Sequence, residues 1–137
     1  MNNVESINNV RVLSPYILFQ PYGNTITISK DTIRAIGFPK YVSMMINENE
    51  KRVAVMPCEQ EDVMSFKVPE KLFIDHHAVF RLHSKLFIEA FLSKFGLDPN
   101  YNYFCKGIFV QKMNAVIVSV DKKNMEIRDV KTVLKDA

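Results

Sequence analysis

ITISKDTIRAIGFPKY, residues Ile26 to Tyr41, decides how this chain folds. Its opening alternates. Ile26 and Ile28 face one way and the threonines beside them face the other, which is the period of a half-buried strand. At Ser29 the rhythm changes. A serine hydroxyl accepts from a backbone N–H about three residues on, so Ser29 predicts a helix N-cap. Ile33 and Ile36 then share one face of a short helix. Gly37 suits the cap at its end, and Pro39 prevents continuation.

A similar run follows later: FRLHSKLFIEAFLSKFGLDPNY, Phe80 to Tyr101. Ser84-Lys85 opens its helix as Ser29-Lys30 opens the first, and GLDPNY closes it as GFPKY does. Serine and glycine are eight residues apart in the first copy (29 to 37) and twelve in the second (84 to 96). The difference is close to one helical turn, so the apolar face stays in register. One detail conflicts. Aligning the Ser-Lys pairs sets Ile28 against His83 and reverses the strand phase; matching Ile26 and Ile28 to Phe80 and Leu82 restores it but shifts the serine by one.

Outward from these runs the pattern is mostly β. YILFQ (Tyr16–Gln20) reads as a strand, PYGN as a turn, and TITIS as the return strand of a hairpin. YVSMMIN (Tyr41–Asn47) and RVAVMP (Arg52–Pro57) flank the polar turn ENEK. A locally acidic middle, with Glu59, Glu61 and Asp62, is broken by Pro69 and holds a short strand at 66–68. The second half reads as a strand from Ala78 to His83, a helix to Gly96, and strands YFCKGIFVQ and AVIVSV joined by KMN. The organisation is therefore a polar lead-in (1–13), a first half (14–58), a linker (59–77), a second half (78–120) and a charged tail (121–137), frayed helix or disorder. The halves form one compact domain.

The chain has 137 residues, 47% of them apolar, with ten Phe and five Tyr. That fills a core and argues against general disorder. A hairpin with one short helix buries too little to stand alone, so two such units need each other. The predicted fold class is α+β, mainly β: two β-hairpin/short-helix/β-hairpin halves packed as a pseudo-dimeric barrel or sandwich. The net charge of +3 permits nucleic-acid contact without demanding it. Cys58 and Cys105 make no CxxC and read as buried reduced thiols. The N-terminus MNNVESINNVR has no apolar signal-peptide core, and no run is long enough to span a membrane. A cytoplasmic location follows by elimination.

The stretch Ile17 to Met56 resembles the AbrB/SpoVT/MazE-type swapped-hairpin DNA-binding family. The resemblance rests on Gly23 in the turn, Ile26 and Ile28 in the strand, Lys30 and Arg34 in the helix, and Ile36-Gly37 at its end. The second half matches by element order. In that family one copy is half of a barrel and a dimer binds DNA; the resemblance implies both copies in one chain and a regulator or antitoxin-like role. The chain departs from the family at Asn24, where a basic residue is common, and at Ser29, where a proline usually opens the helix.

The candidate nucleic-acid contacts are Lys30, Arg34, Lys40, Lys51 and Arg52 in the first half, with Arg81, Lys85 and Lys94 as rough counterparts. A pseudo-twofold would set Lys30 and Lys85 on one face to address two phosphates, and the Arg34 fork suits a guanine edge. Asp31 and Glu89 on the same helices reduce the local field. His76, His77 and His83 with Asp75 lack metal-ligand spacing. A cysteine–histidine nucleophile pair would need Cys105 or Cys58 beside His83, but a thiol in an aromatic strand is inert. No phosphate loop or serine-nucleophile motif is present. No metal, cofactor or small-molecule substrate is expected. Phe87, Phe91 and Phe95, with Leu86, Ile88 and Leu92, make the second helix apolar on nearly all sides, so it is core or a homodimer interface. The leading expectation is a non-enzymatic DNA-binding protein. The alternatives are an interaction domain that keeps the fold without DNA, and a hollow barrel for a small ligand.

Overall fold

A computed structural model describes residues 12–130. Among the described residues, nine antiparallel strands form a nearly closed barrel with two short helices. The elements are β1 (Tyr16–Gln20), β2 (Thr25–Ile28), α1 (Lys30–Ala35), β3 (Tyr41–Asn47), β4 (Arg52–Pro57), β5 (Ser65–Lys67), β6 (Phe80–His83), α2 (Lys85–Phe95), β7 (Tyr101–Val110), β8 (Ala115–Ser119) and β9 (Met125–Asp129). A single 3₁₀ turn, Gln111–Met113, joins β7 to β8. The order around the sheet is β5-β3-β4-β8-β7-β1-β2-β6, with β9 added to β7.

The strand that leads into each helix pairs with its counterpart. β2 lies against β6, Ile26 opposite Leu82 and Ile28 opposite Phe80. Likewise β4 lies against β8, Val53 opposite Val118 and Val55 opposite Val116. All eight of these side chains are buried. Because β2 and β6 run antiparallel, their helices start at opposite ends of the barrel. α2 begins beside the β1–β2 turn, where Ser84 N–H donates to the Asn24 carbonyl at 3.0 Å. α1 begins at the other end of the same strand pair.

The phase conflict in the sequence resolves at one residue. Both serines are N-caps: Ser29 Oγ accepts from Thr32 N–H and Ser84 Oγ from Phe87 N–H. The strands nevertheless keep Ile26 and Ile28 in phase with Phe80 and Leu82. His83 is the extra residue between the last inward side chain and the cap, and it points outward. Ser29 does more than cap, since its hydroxyl also accepts from Tyr16 N–H at 2.9 Å and ties β1 to the helix start.

α2 closes its end of the barrel with aromatic rings. Phe91 stacks on Phe19 of β1 with centroids 4.0 Å apart and meets Tyr103 of β7 edge-on. Its burial is one-sided: Phe87, Ile88 and Phe91 are inside, whereas Leu86 is 68% exposed. The reading of this helix as buried on nearly all sides is corrected. Eleven residues laid across a barrel mouth present one face inward, and residues flanking that face remain at the surface.

The charged tail is also corrected. Residues 125–129 form β9, paired to β7 from Tyr101↔Asp129 to Cys105↔Met125. Met125 alone of that strand is buried, so it carries almost no alternation to read. The expected strand at 66–68 lies at 65–67. Residues 131–137 of the tail and 1–11 of the lead-in fall outside the described residues. β5 and β6 end the sheet without pairing to each other. The segment joining them, 68–79, sends Val68 and Leu72 into the core.

Candidate nucleic-acid interface

The outer face of β1, β2 and β6 is the part of the barrel best suited to an anionic polymer. These strands read YILFQ, TITI and FRLH and contain no acidic residue. Alternation turns Ile17, Phe19, Ile26, Ile28, Phe80 and Leu82 inward, which leaves Tyr16, Leu18, Gln20, Thr25, Thr27, Arg81 and His83 outward. Arg81 sits opposite Thr27 at the centre of the strand pair. The His83 ring is fixed by a 3.3 Å hydrogen bond between Nδ1 and Thr25 Oγ1.

A cleft of about 560 Å³ opens at the α1 end of this face, lined by Tyr16, Thr27, Lys30, Arg34, His76 and His77 among others. Lys30 Nζ donates to the Asp75 and His76 carbonyls, each at 3.3 Å, so it is tethered without being neutralised. Arg34 is held more firmly. Its guanidinium meets Asp31 at 2.7 Å and lies 4.9 Å over the Phe73 ring. Asp31 in turn accepts from Ser14 N–H at 2.9 Å. The Thr27 hydroxyl is buried and has no hydrogen-bond partner among the described residues.

The expected basic set is split by the fold. Lys30, Arg34 and Arg81 come together at the cleft and its adjoining strand. Lys85 lies at the far end of β6, so Lys30 and Lys85 do not neighbour each other as expected. The antiparallel β2–β6 ladder ends with Ile28↔Phe80 on the α1 side and with Thr25↔His83 on the α2 side, so the two lysines leave it from opposite ends. Lys85 faces Glu89 at 3.9 Å. Lys94 reaches Glu48 at 4.0 Å, and Arg52 meets Glu50 at 3.1 Å, both around the β3–β4 turn. Lys51 lies nearby and helps lower the pKa of Asp121, whose carboxylate is held down chiefly by hydrogen bonds from Asn124. Lys40 is exposed at the start of β3, away from the cleft. Sequence reading passed over Tyr16, Thr27 and the two cleft histidines as interface residues. The signal available was the absence of acid from three strands that turn out to be neighbours.

The chain matches no protein-family model, no curated protein and no solved structure.

The histidines and cysteines do not converge. Cys105 is fully buried on the inner side of β7, whereas His83 points outward from β6. The His76 and His77 rings lie edge to face with centroids 5.1 Å apart. Among the described residues, no three of His, Cys, Asp and Glu come together in a way that could hold a metal ion. No helix of the described residues is long and apolar enough to cross a membrane.

Burial pushes the Cys105 thiol up to about 12, with the Asp121 charge adding to it. Cys58 is also raised, first by desolvation and then by Asp62, against a hydrogen bond from Ser43. At pH 8 a thiol of pKa near 12 is only about one part in ten thousand thiolate. Ellman's reagent on the folded protein is therefore expected to release one equivalent slowly, from Cys58, and the second only after denaturation. Two thiols reacting at equal rates would contradict the burial of Cys105.

Proposed function

We propose that this chain is a small DNA-binding protein, acting by binding rather than catalysis, built from two AbrB-like halves that pair within one chain as a pseudo-dimer. The fold supports the duplication through its pairings, β2 with β6 and β4 with β8. Matching Ile26 and Ile28 to Phe80 and Leu82 puts a local twofold through the Thr27–Arg81 pair. The observation that carries the function is the acid-free β1–β2–β6 face with Arg81 at its centre and the Lys30 cleft at one end. A regulator or antitoxin-like role follows only from the family resemblance.

Phosphate contacts supply most non-specific affinity. Lys30, Arg81 and Lys85 provide them here, spread along β2 and β6. Lys85 gives up little to reach a phosphate, because an exposed lysine–glutamate pair is worth only about 0.2–1 kcal/mol. Arg34 is locked by Asp31 and Phe73 and serves to shape the cleft wall.

The test is fluorescence anisotropy of a labelled mixed-sequence duplex between about 50 and 200 mM salt. Binding in or below the 10⁻⁴–10⁻⁶ M range, weakening steeply with salt, is expected. Arg81→Glu should weaken it about tenfold or more and lower the salt slope by about one. A second reading has its own support: Arg34, Arg52, Lys85 and Lys94 already face carboxylates, which suits a protein-interaction scaffold that keeps the fold. No binding at 50 mM salt, or an Arg81→Glu protein that binds as well as the original, would decide for that scaffold.

A further inference from the structure

Where α1 ends, the chain holds an aromatic ring in solvent. Gly37 N–H donates to the Arg34 carbonyl and Phe38 N–H to the Ile33 carbonyl, the pair of hydrogen bonds that closes a helix on a glycine. α2 closes on a matching bond, from Leu97 N–H to the Leu92 carbonyl. The residue after the glycine differs between the two helices. Leu97 stays out of the left-handed region and packs against the core. Phe38 takes a φ of +55° and is 59% exposed. A bulky residue seldom adopts that conformation, and burial does not compensate it here. The ring stands at a cleft of about 410 Å³, lined also by Ile33, Lys40, Tyr41, Lys67 and Phe73. Phe73 meets Phe38 edge-on with centroids 4.9 Å apart and carries Arg34 over its own ring. An edge-on contact takes at most one face of a ring, so Phe38 keeps a face for stacking.

We infer that this cleft binds an unpaired nucleobase together with its phosphate, the base stacked on Phe38 and the phosphate met by Lys40. Every base has a π face, and proteins that hold single strands join such stacking to a basic rim. The rim here is basic. Among the described residues Lys40 forms no ion pair. Glu70 is the one acid among the described residues lining the cleft; it lies 3.5 Å from Lys67, and both side chains are well exposed. A proline-rich peptide would use the rings and leave Lys40 idle. Arg34 lines the Lys30 cleft and Phe73 lines this one, so the Arg34–Phe73 stack is the wall between them. The DNA-binding reading bears only on the source of the nucleotide, a strand that crosses this wall or a molecule free in solution.

The chain has no tryptophan, so Phe38→Trp in the full chain sets a single fluorophore at the site. Its emission is expected to quench saturably with an oligothymidylate of about ten residues. Thymidine monophosphate is the second arm. Quenching at lower concentration by the oligonucleotide assigns the site to a strand, and equal quenching by the monophosphate assigns it to a free nucleotide. With the oligonucleotide labelled for anisotropy, Phe38→Ala and Phe38→Leu should each raise the Kd about tenfold, while Phe38→Trp binds at least as well as the original. Lys40→Ala should lower the salt slope by about 0.7. Phe38 and Lys40 are exposed, so circular dichroism should remain native. No quenching by either ligand up to about 1 mM, above the range of non-specific binding, overturns the inference. So does a Phe38→Ala or Phe38→Leu protein that binds the oligonucleotide as the original does. Duplex anisotropy with Arg81→Glu judges the β1–β2–β6 face separately, so either reading fails without the other.

Discussion

Phe91→Ala is expected to destabilise the protein by about 3–5 kcal/mol, the usual range for removing a fully buried phenylalanine. Phe91 has no exposed surface. It stacks on Phe19, meets Phe95 and Tyr103 edge-on, and lies on the one face by which α2 closes its end of the barrel. Truncation removes the ring's transfer energy and leaves a cavity lined by other rings, which cannot collapse inward without moving a strand or the helix. Urea denaturation followed by tyrosine fluorescence measures the loss, and a native midpoint for Phe91→Ala would refute this view of the barrel end. Leu86→Ala is the control on the same helix. Its side chain is mostly in solvent, so the change should stay within about 0.5 kcal/mol.

That contrast shows what could be read from the residues and what could not. The hairpin YILFQ-PYGN-TITI, both serine caps and the glycine at each helix end are local chemistry, and each lies where its residues place it. Alternation gave the inward residues of β2, and the match of Phe80 and Leu82 to Ile26 and Ile28 gave those of β6. Which strands pair is not local. Nothing in TITI or FRLH indicates that they lie side by side, yet that pairing places α1 and α2 at opposite ends and separates Lys30 from Lys85. The apolar content of α2 was legible, but its exposed residue was not, because a barrel mouth covers one face of a helix and a bundle covers more. β9 was hidden by charge: Glu126, Arg128 and Asp129 are tolerated because that strand only lies along β7 with a solvated outer side. The nucleic-acid candidates were chosen by charge and by position in the repeat, and the fold sorts them by neighbours, pairing some with carboxylates and setting Arg81 on strands without acid.

Gly107 reports the same long-range logic, and replacing it by valine should cost about 1–3 kcal/mol or more despite the gain in strand propensity. β7 changes partners here. Its earlier residues pair with β1 and β9, its later ones with β8, and Gly107 N–H donates to the Pro15 carbonyl at 2.8 Å. A Cβ at this position would stand 2.6 Å from a Val116 methyl and 3.4 Å from one of Val118. Both valines are buried and β-branched, so neither has a spare rotamer to swing aside. The place of a side chain at 107 is already filled by β8. Even Gly107→Ala meets the close contact, and Gly107→Val adds two methyls to it. Relief requires β7 and β8 to separate, which would loosen the β4–β8 pairing on which the two halves of the barrel meet. Hydrogen exchange should therefore show the lost protection in β8 and β4 as well as β7. If Gly107→Val were as stable as the original, β8 would have to be free to move outward, and the close packing of the halves across β4 and β8 would be refuted.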